Sequence, residues 1–125
     1  MTTPLGKVRA LGSAKSGTRE FLKERMTGMA LMVILPYLLV FLIPVMNSSY
    51  NAFLDVISSL WVAPALIAAL LLNASHMASG MRVIIEDYIH TPWKKYSFLG
   101  LNWIFSWGIA VVSSCAVIKI MFANI

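Results

Sequence analysis

Residues 27–46 read TGMALMVILPYLLVFLIPVM, twenty consecutive positions with no charged side chain. At 1.5 Å of rise per residue a helix of this length spans about 30 Å, the thickness of the hydrocarbon core of a bilayer. Only a helix satisfies its own backbone N–H and C=O groups in lipid, so the run is predicted to be a membrane-spanning helix. Pro36 and Pro44 lie inside it, each removing one backbone hydrogen bond and favouring a bend that neighbouring helices absorb. The basic residues ahead of it resemble those of a secretory leader. The run has the length of a full span, however, and lacks a small-residue cleavage site, so it is expected to be retained.

Working outward, the same pattern recurs twice. A second apolar run covers 56–85, interrupted by Pro64, Asn73, Ser75, His76 and Ser79, and a third covers 98–122. The fold class is therefore an all-α integral membrane protein with one domain and three transmembrane helices, at 27–47, 56–88 and 98–122. A basic, mobile tail is expected over 1–15, and an interfacial helix starting at 16–26 with Ser16 as its N-cap. The second run, about 45 Å long if helical throughout, exceeds the hydrocarbon core and must tilt or project. The polar stretch 47–55 is the first turn. Thr91-Pro92 ends the second helix, and Trp93, Lys94, Lys95 and Tyr96 form an interfacial cluster.

Composition supports this class. Of 125 residues, 59% are hydrophobic and 12% charged, with a mean hydropathy of +0.79, far from the soluble range. The net charge of +5 falls beside apolar spans, where orientation and anionic headgroups account for it better than nucleic acid does. Six Lys and Arg precede the first span, none lie in 47–55, three lie between Arg82 and Lys95, and Lys119 stands alone. The positive-inside rule then puts the N-terminus and the second loop in the cytoplasm and the C-terminus outside. Cys115, the single cysteine, has no internal partner and is read as an inert residue of the apolar core.

His76 is the most informative residue, because a histidine deep in an apolar span is costly unless bonded, paired or ligating. Taken alone it suits a neutral ring bonded to a neighbouring helix as well as it suits a ligand. Gly80, one turn on, allows close approach of a flat group or another backbone. Asp87 lies about 20° from the His76 direction, three turns further along and about 17 Å away, with Tyr88 about 120° round. One helix thus carries a histidine at depth and an acid and a phenol at the surface.

The string HMASGMRVIIEDY, with His76, Gly80, Asp87 and Tyr88, resembles the second helix of the smaller hydrophobic membrane-anchor subunit of succinate dehydrogenase, respiratory complex II. SGTREFLKERMTG, residues 16–28, is similar to the segment ahead of that family's first span, where a Ser-Gly pair is followed eight residues on by an arginine, here Arg25. The resemblance implies that His76 is an axial ligand of a b-type haem iron, with the second ligand on a partner, the second membrane-anchor subunit. It implies that Tyr88 donates to a ubiquinone carbonyl and that Asp87 belongs to the same polar network. The three helices would be half of a bundle completed by that partner anchor, holding the iron–sulfur and flavoprotein subunits at the cytoplasmic face of a bacterial inner membrane, rather than a mitochondrial one.

Flavin and succinate chemistry would lie on those other subunits. Arg25, Arg82 and Arg19 are candidate contacts to haem propionates, each with a topological or snorkelling role as its plainer explanation. Where this chain has Arg19 the family often has histidine. Tyr88 without this pattern would be one more interfacial aromatic, and His90 is read as a solvated loop residue. Asp87 is open to three roles: orienting Tyr88, relaying protons or pairing with a partner arginine. Two alternatives stand beside this function: the anchor of a fumarate reductase, and a non-catalytic membrane adaptor without haem.

Overall fold

The computed structural model describes residues 12–123, with side chains from 18 onward. The expected tail over 1–15 lies outside the described residues as far as 11. Helix α1 runs unbroken over Gly12–Leu42, so the backbone is already helical four residues before Ser16, the expected cap. A 3-10 turn, Ile43–Val45, follows. Pro44 belongs to that turn and ends the helix, whereas Pro36 lies within α1.

The second apolar run is two helices where the sequence suggested one. Helix α2 covers Tyr50–Ile57, within and beyond the expected turn, and α3 covers Ala63–Tyr88. Ser49 caps α2, its hydroxyl accepting from the Ala52 N–H at 3.3 Å. The break at 58–62 has two local causes. The Ser58 and Ser59 hydroxyls donate back to the carbonyls of Asp55 and Val56 at 3.1 and 2.8 Å, competing with helix propagation. Pro64 has no N–H and its ring would collide with the Leu60 carbonyl of a continuous helix. As the second residue of a new helix, it does neither. With α3 limited to 26 residues, its length is about 39 Å, so the overlong helix expected from the sequence is shortened at its far end.

Helix α4, Pro92–Ala123, starts six residues before the expected 98. Pro92 opens it, the position where a missing N–H costs nothing, and the Thr91 carbonyl accepts from the Lys95 N–H at 2.9 Å. The aromatic and basic cluster at 93–96 is therefore the first turn of a helix. All of α1, α3 and α4 are long and apolar enough to cross a membrane.

Helix α3 is the shared neighbour, packed on α1 along one side and on α4 along another. Near the turn between α1 and α3, Leu38, Val62 and Ala69 form a small core with Ile34, Phe41 and Leu66 against them. Tyr37 donates its hydroxyl to the Trp61 carbonyl at 2.7 Å, tying α1 to the segment before α3. Along α4 the buried residues are Ser106, Ala110, Ser114 and Val117, a stripe at helical spacing in which small side chains let two backbones approach. Asn102, one turn before the stripe, donates from Nδ2 to the Ala78 carbonyl of α3 at 3.0 Å. Replacing Asn102 with leucine is expected to cost about 0.6 kcal/mol and at most about 1.7, the range for side-chain hydrogen bonds between membrane helices. The unfolding midpoint of the purified protein in detergent measures it.

Only 11% to 22% of the most apolar window of each span is buried within the chain, so most of the apolar surface is left for lipid or other chains. Cys115 is part of that surface, exposed on α4 and not in the core as the sequence suggested.

Candidate functional site

His76 lies half-buried on α3 and faces α1. Its Nδ1 is 3.1 Å from the Thr27 hydroxyl, and its Cε1 lies beside Gly28, 3.5 Å from where a Cβ there would stand. The Thr27 hydroxyl is also 2.8 Å from the Lys23 carbonyl and 3.1 Å from that of Glu24. A hydroxyl has one proton, and the carbonyls of the preceding turn can only accept. With the Thr27 proton donated to the helix backbone, the hydroxyl is left as an acceptor for Nδ1–H of His76. A neutral ring carrying its hydrogen on Nδ1 would present Nε2 as the nitrogen able to bind a metal.

Gly80 is exposed one turn along, and among the described residues no other helix lies within 4 Å of its would-be Cβ, which leaves room there for the close approach of another group. Among the described residues no group of three or more His, Cys, Asp and Glu is placed to share a metal ion. An ion on His76 would need ligands from elsewhere, as a porphyrin and a second helix supply. His76, with Nδ1 on Thr27 and Gly28 beside its ring, fits that arrangement.

Asp87 and Tyr88 end α3. Tyr88 is 79% exposed and lines an apolar groove of about 540 Å3 between α3 and α4, with Ile84, Phe98, Leu101 and Phe105 among its walls. Asp87 is exposed at the same end of the helix. His76 and Tyr88 are thus held on different sides of α3, the first toward α1 and the second over the α4 groove. His90 is exposed between α3 and α4.

The three candidate arginines diverge. Arg82 is engaged by two carboxylates, Nε at 2.9 Å from Glu86 and Nη1 at 3.7 Å from Glu20. With these side chains about half exposed, the pairs are worth about 0–1 kcal/mol each. The Arg25 guanidinium lies over the Phe21 ring, 4.9 Å from its centroid, and Arg19 is exposed.

The family model for the succinate dehydrogenase/fumarate reductase transmembrane subunit matches residues 1–117. The chain belongs to this family. Two relatives are the succinate dehydrogenase hydrophobic membrane anchor subunits of Rickettsia conorii and Rickettsia bellii. The first is 35% identical over 89 residues, covering 66% of this chain and 67% of that protein. The second is 36% identical over 84 residues, covering 66% of each. The chain spans about two thirds of the length of these relatives. No solved structure matches it.

The residues at these contacts that the sequence reading did not single out are Thr27, Glu20, Glu86 and Asn102. Asn102 had a visible signal, a carboxamide inside an apolar run. Thr27 had none, since its partner is 49 positions away.

Proposed function

We propose that this chain is the hydrophobic membrane anchor of a succinate dehydrogenase, with His76 as an axial ligand of a b-type haem shared with a second anchor subunit. Tyr88 and Asp87 would contribute to a ubiquinone-reduction site. The observation that carries the haem half is the 3.1 Å contact of His76 Nδ1 with the Thr27 hydroxyl, beside Gly28, which in a neutral ring would leave Nε2 as the nitrogen for a ligand bond. When bound, a b-type haem supplies a one-electron redox centre within the membrane.

The roles of the chain's own residues derive from their chemistry. Thr27 fixes the tautomer and aim of the imidazole, a supporting bond whose loss typically weakens metal binding. Reduction of a quinone takes two electrons and two protons, and negative charge grows on its carbonyl oxygens as electrons arrive. The Tyr88 hydroxyl is a neutral donor at ordinary pH, set at an apolar groove open to a ring that arrives through lipid. Asp87, exposed beside it, is available to orient the phenol, to pass protons from water or to pair with an arginine of another subunit. Arg25 and Arg19 remain candidate propionate partners on α1, and Arg82 would have to leave Glu86 to join them.

The succinate and flavin chemistry belongs to a flavoprotein subunit, joined through an iron–sulfur subunit at the basic, cytoplasmic face of a bacterial inner membrane. That orientation is supported by the six Lys and Arg ahead of the first span and the three between Arg82 and Lys95. The family description covers fumarate reductase as well, so the direction of turnover is a measured property: faster succinate oxidation with ubiquinone supports this function, and faster fumarate reduction by a quinol overturns it.

Replacing Thr27 with valine keeps the side-chain shape and removes the acceptor for Nδ1–H. Haem affinity is expected to fall about 10- to 100-fold, the usual effect of losing a partner of a metal-bound histidine. Haem content per purified complex, read from absorbance across a haem titration, measures it; an unchanged content would exclude the orienting role of Thr27.

A further inference from the structure

The charged end of α3 also borders a second opening. A cleft of about 480 Å3 opens there between α3 and α4, with α1 at its side. Its mouth is lined by Glu20, Lys23, Arg82, Glu86 and Lys95. Arg82 already holds both carboxylates, while Lys23 and Lys95 have no anionic partner among the described residues. Three cations facing two carboxylates leave the mouth one positive charge in excess.

Beyond the mouth the lining changes character. Leu99, Trp103 and Trp107 continue the cleft along α4, following Lys95 at steps of four residues and so lying along one face. Opposite them α3 presents Ser75, Ala78 and Ser79, side chains small enough to leave a trough. From Lys95 to Trp107 the trough is about 18 Å long. A free inorganic anion needs only the mouth. A molecule with an anionic head and an apolar tail uses both parts.

We propose that this cleft binds an anionic phospholipid, its phosphodiester between Lys23 and Lys95 and an acyl chain along Leu99, Trp103 and Trp107. The single negative charge of a phosphodiester balances the excess at the mouth. A zwitterionic lipid brings an ammonium as well, next to Arg82, where both carboxylates are taken. Basic pockets between membrane helices recognise lipid headgroups in this way, through one or two cations at the interface. The proposal does not depend on the haem and quinone assignments, and Lys23 and Lys95 belong to neither of them.

The test is native mass spectrometry of the complex purified in detergent, titrated with phosphatidylglycerol or with phosphatidylcholine. Each interfacial cation contributes about fivefold in affinity, so the wild type should prefer phosphatidylglycerol by about 25-fold. Lys23→Gln combined with Lys95→Gln, which leaves Arg82 facing two carboxylates, should abolish the preference or turn it against phosphatidylglycerol, while Lys94→Gln, whose ammonium lies over Trp93 outside the cleft, should keep the preference. Where the double variant does not assemble, Lys95→Gln alone should lower the preference about fivefold. Parity in the wild type, or an unchanged preference in the Lys95 variants, overturns the proposal. Inorganic phosphate should not displace the lipid; displacement would make this a free-anion site and overturn it too. Haem absorbance should be the same in all these complexes, and its loss with lipid preference intact would assign the lysines to propionates instead.

Discussion

Replacing His76 with leucine is expected to remove the b-type haem absorbance from the purified complex, while succinate oxidation by a soluble acceptor continues. Leucine fills a similar volume in an apolar span, so the helix should still insert, and it offers no atom to iron. The effect should exceed that of Thr27→Val, because the ligand itself is lost and not only its orienting partner. Nothing within the described residues offers a substitute: no cluster of His, Cys, Asp and Glu is placed to hold a metal, and His90 lies exposed outside α3. The absorbance spectrum of the complex, oxidised and reduced, decides the matter. Haem bands of unchanged position and intensity would exclude His76 as a ligand and favour a purely structural histidine bonded to Thr27, the state expected of a membrane adaptor without haem.

Replacing Tyr88 with phenylalanine should slow quinone reduction on the order of 10²-fold, the size of a lost donor to an oxygen on which charge develops. The ring keeps its place over the groove formed with Phe98, Leu101 and Phe105, so only the hydroxyl is removed. Because the phenol is 79% exposed, the change should leave stability almost untouched, which separates a chemical effect from a folding one. Two assays on the same preparation are needed, quinone reduction and succinate oxidation by a soluble dye. Loss confined to the first supports the donor role. Equal loss in both, or no loss in either, would remove Tyr88 from the quinone site.

Much of the architecture is legible in residue order because lipid leaves few options. An uncharged run such as 27–46 must satisfy its own backbone, which only a helix does here, and each of the three apolar runs holds a helix long enough to span a membrane. Where sequence reasoning failed, local chemistry outweighed hydropathy. Hydropathy alone carries the second run smoothly through Ser58, Ser59 and Pro64, yet two hydroxyl-to-carbonyl bonds and one absent N–H divide it. Pro92 reads in the sequence as the terminator of α3, and in the structure it is also the opening residue of α4. Cys115 shows the same limit from another side, since in lipid an apolar neighbourhood in sequence says nothing about burial within the chain.

The candidate site divides in a similar way. Along one helix, spacing already gives the depth of His76 relative to Asp87 and Tyr88 and the angle between them, because a helix fixes rise and rotation per residue. The sequence by itself therefore determined the membrane class, the three spans and the single helix that carries histidine, acid and phenol. Only the tertiary structure decided what each of them meets. It brought Thr27 to His76 across 49 positions, turned Tyr88 toward α4 and away from the histidine, and engaged Arg82 with Glu20 and Glu86. The physical reason is that contacts between helices depend on how each is rotated against its neighbours. That rotation is set by side-chain interlocking and a few interhelical hydrogen bonds, such as the one from Asn102 to Ala78, and periodicity along one helix does not encode it.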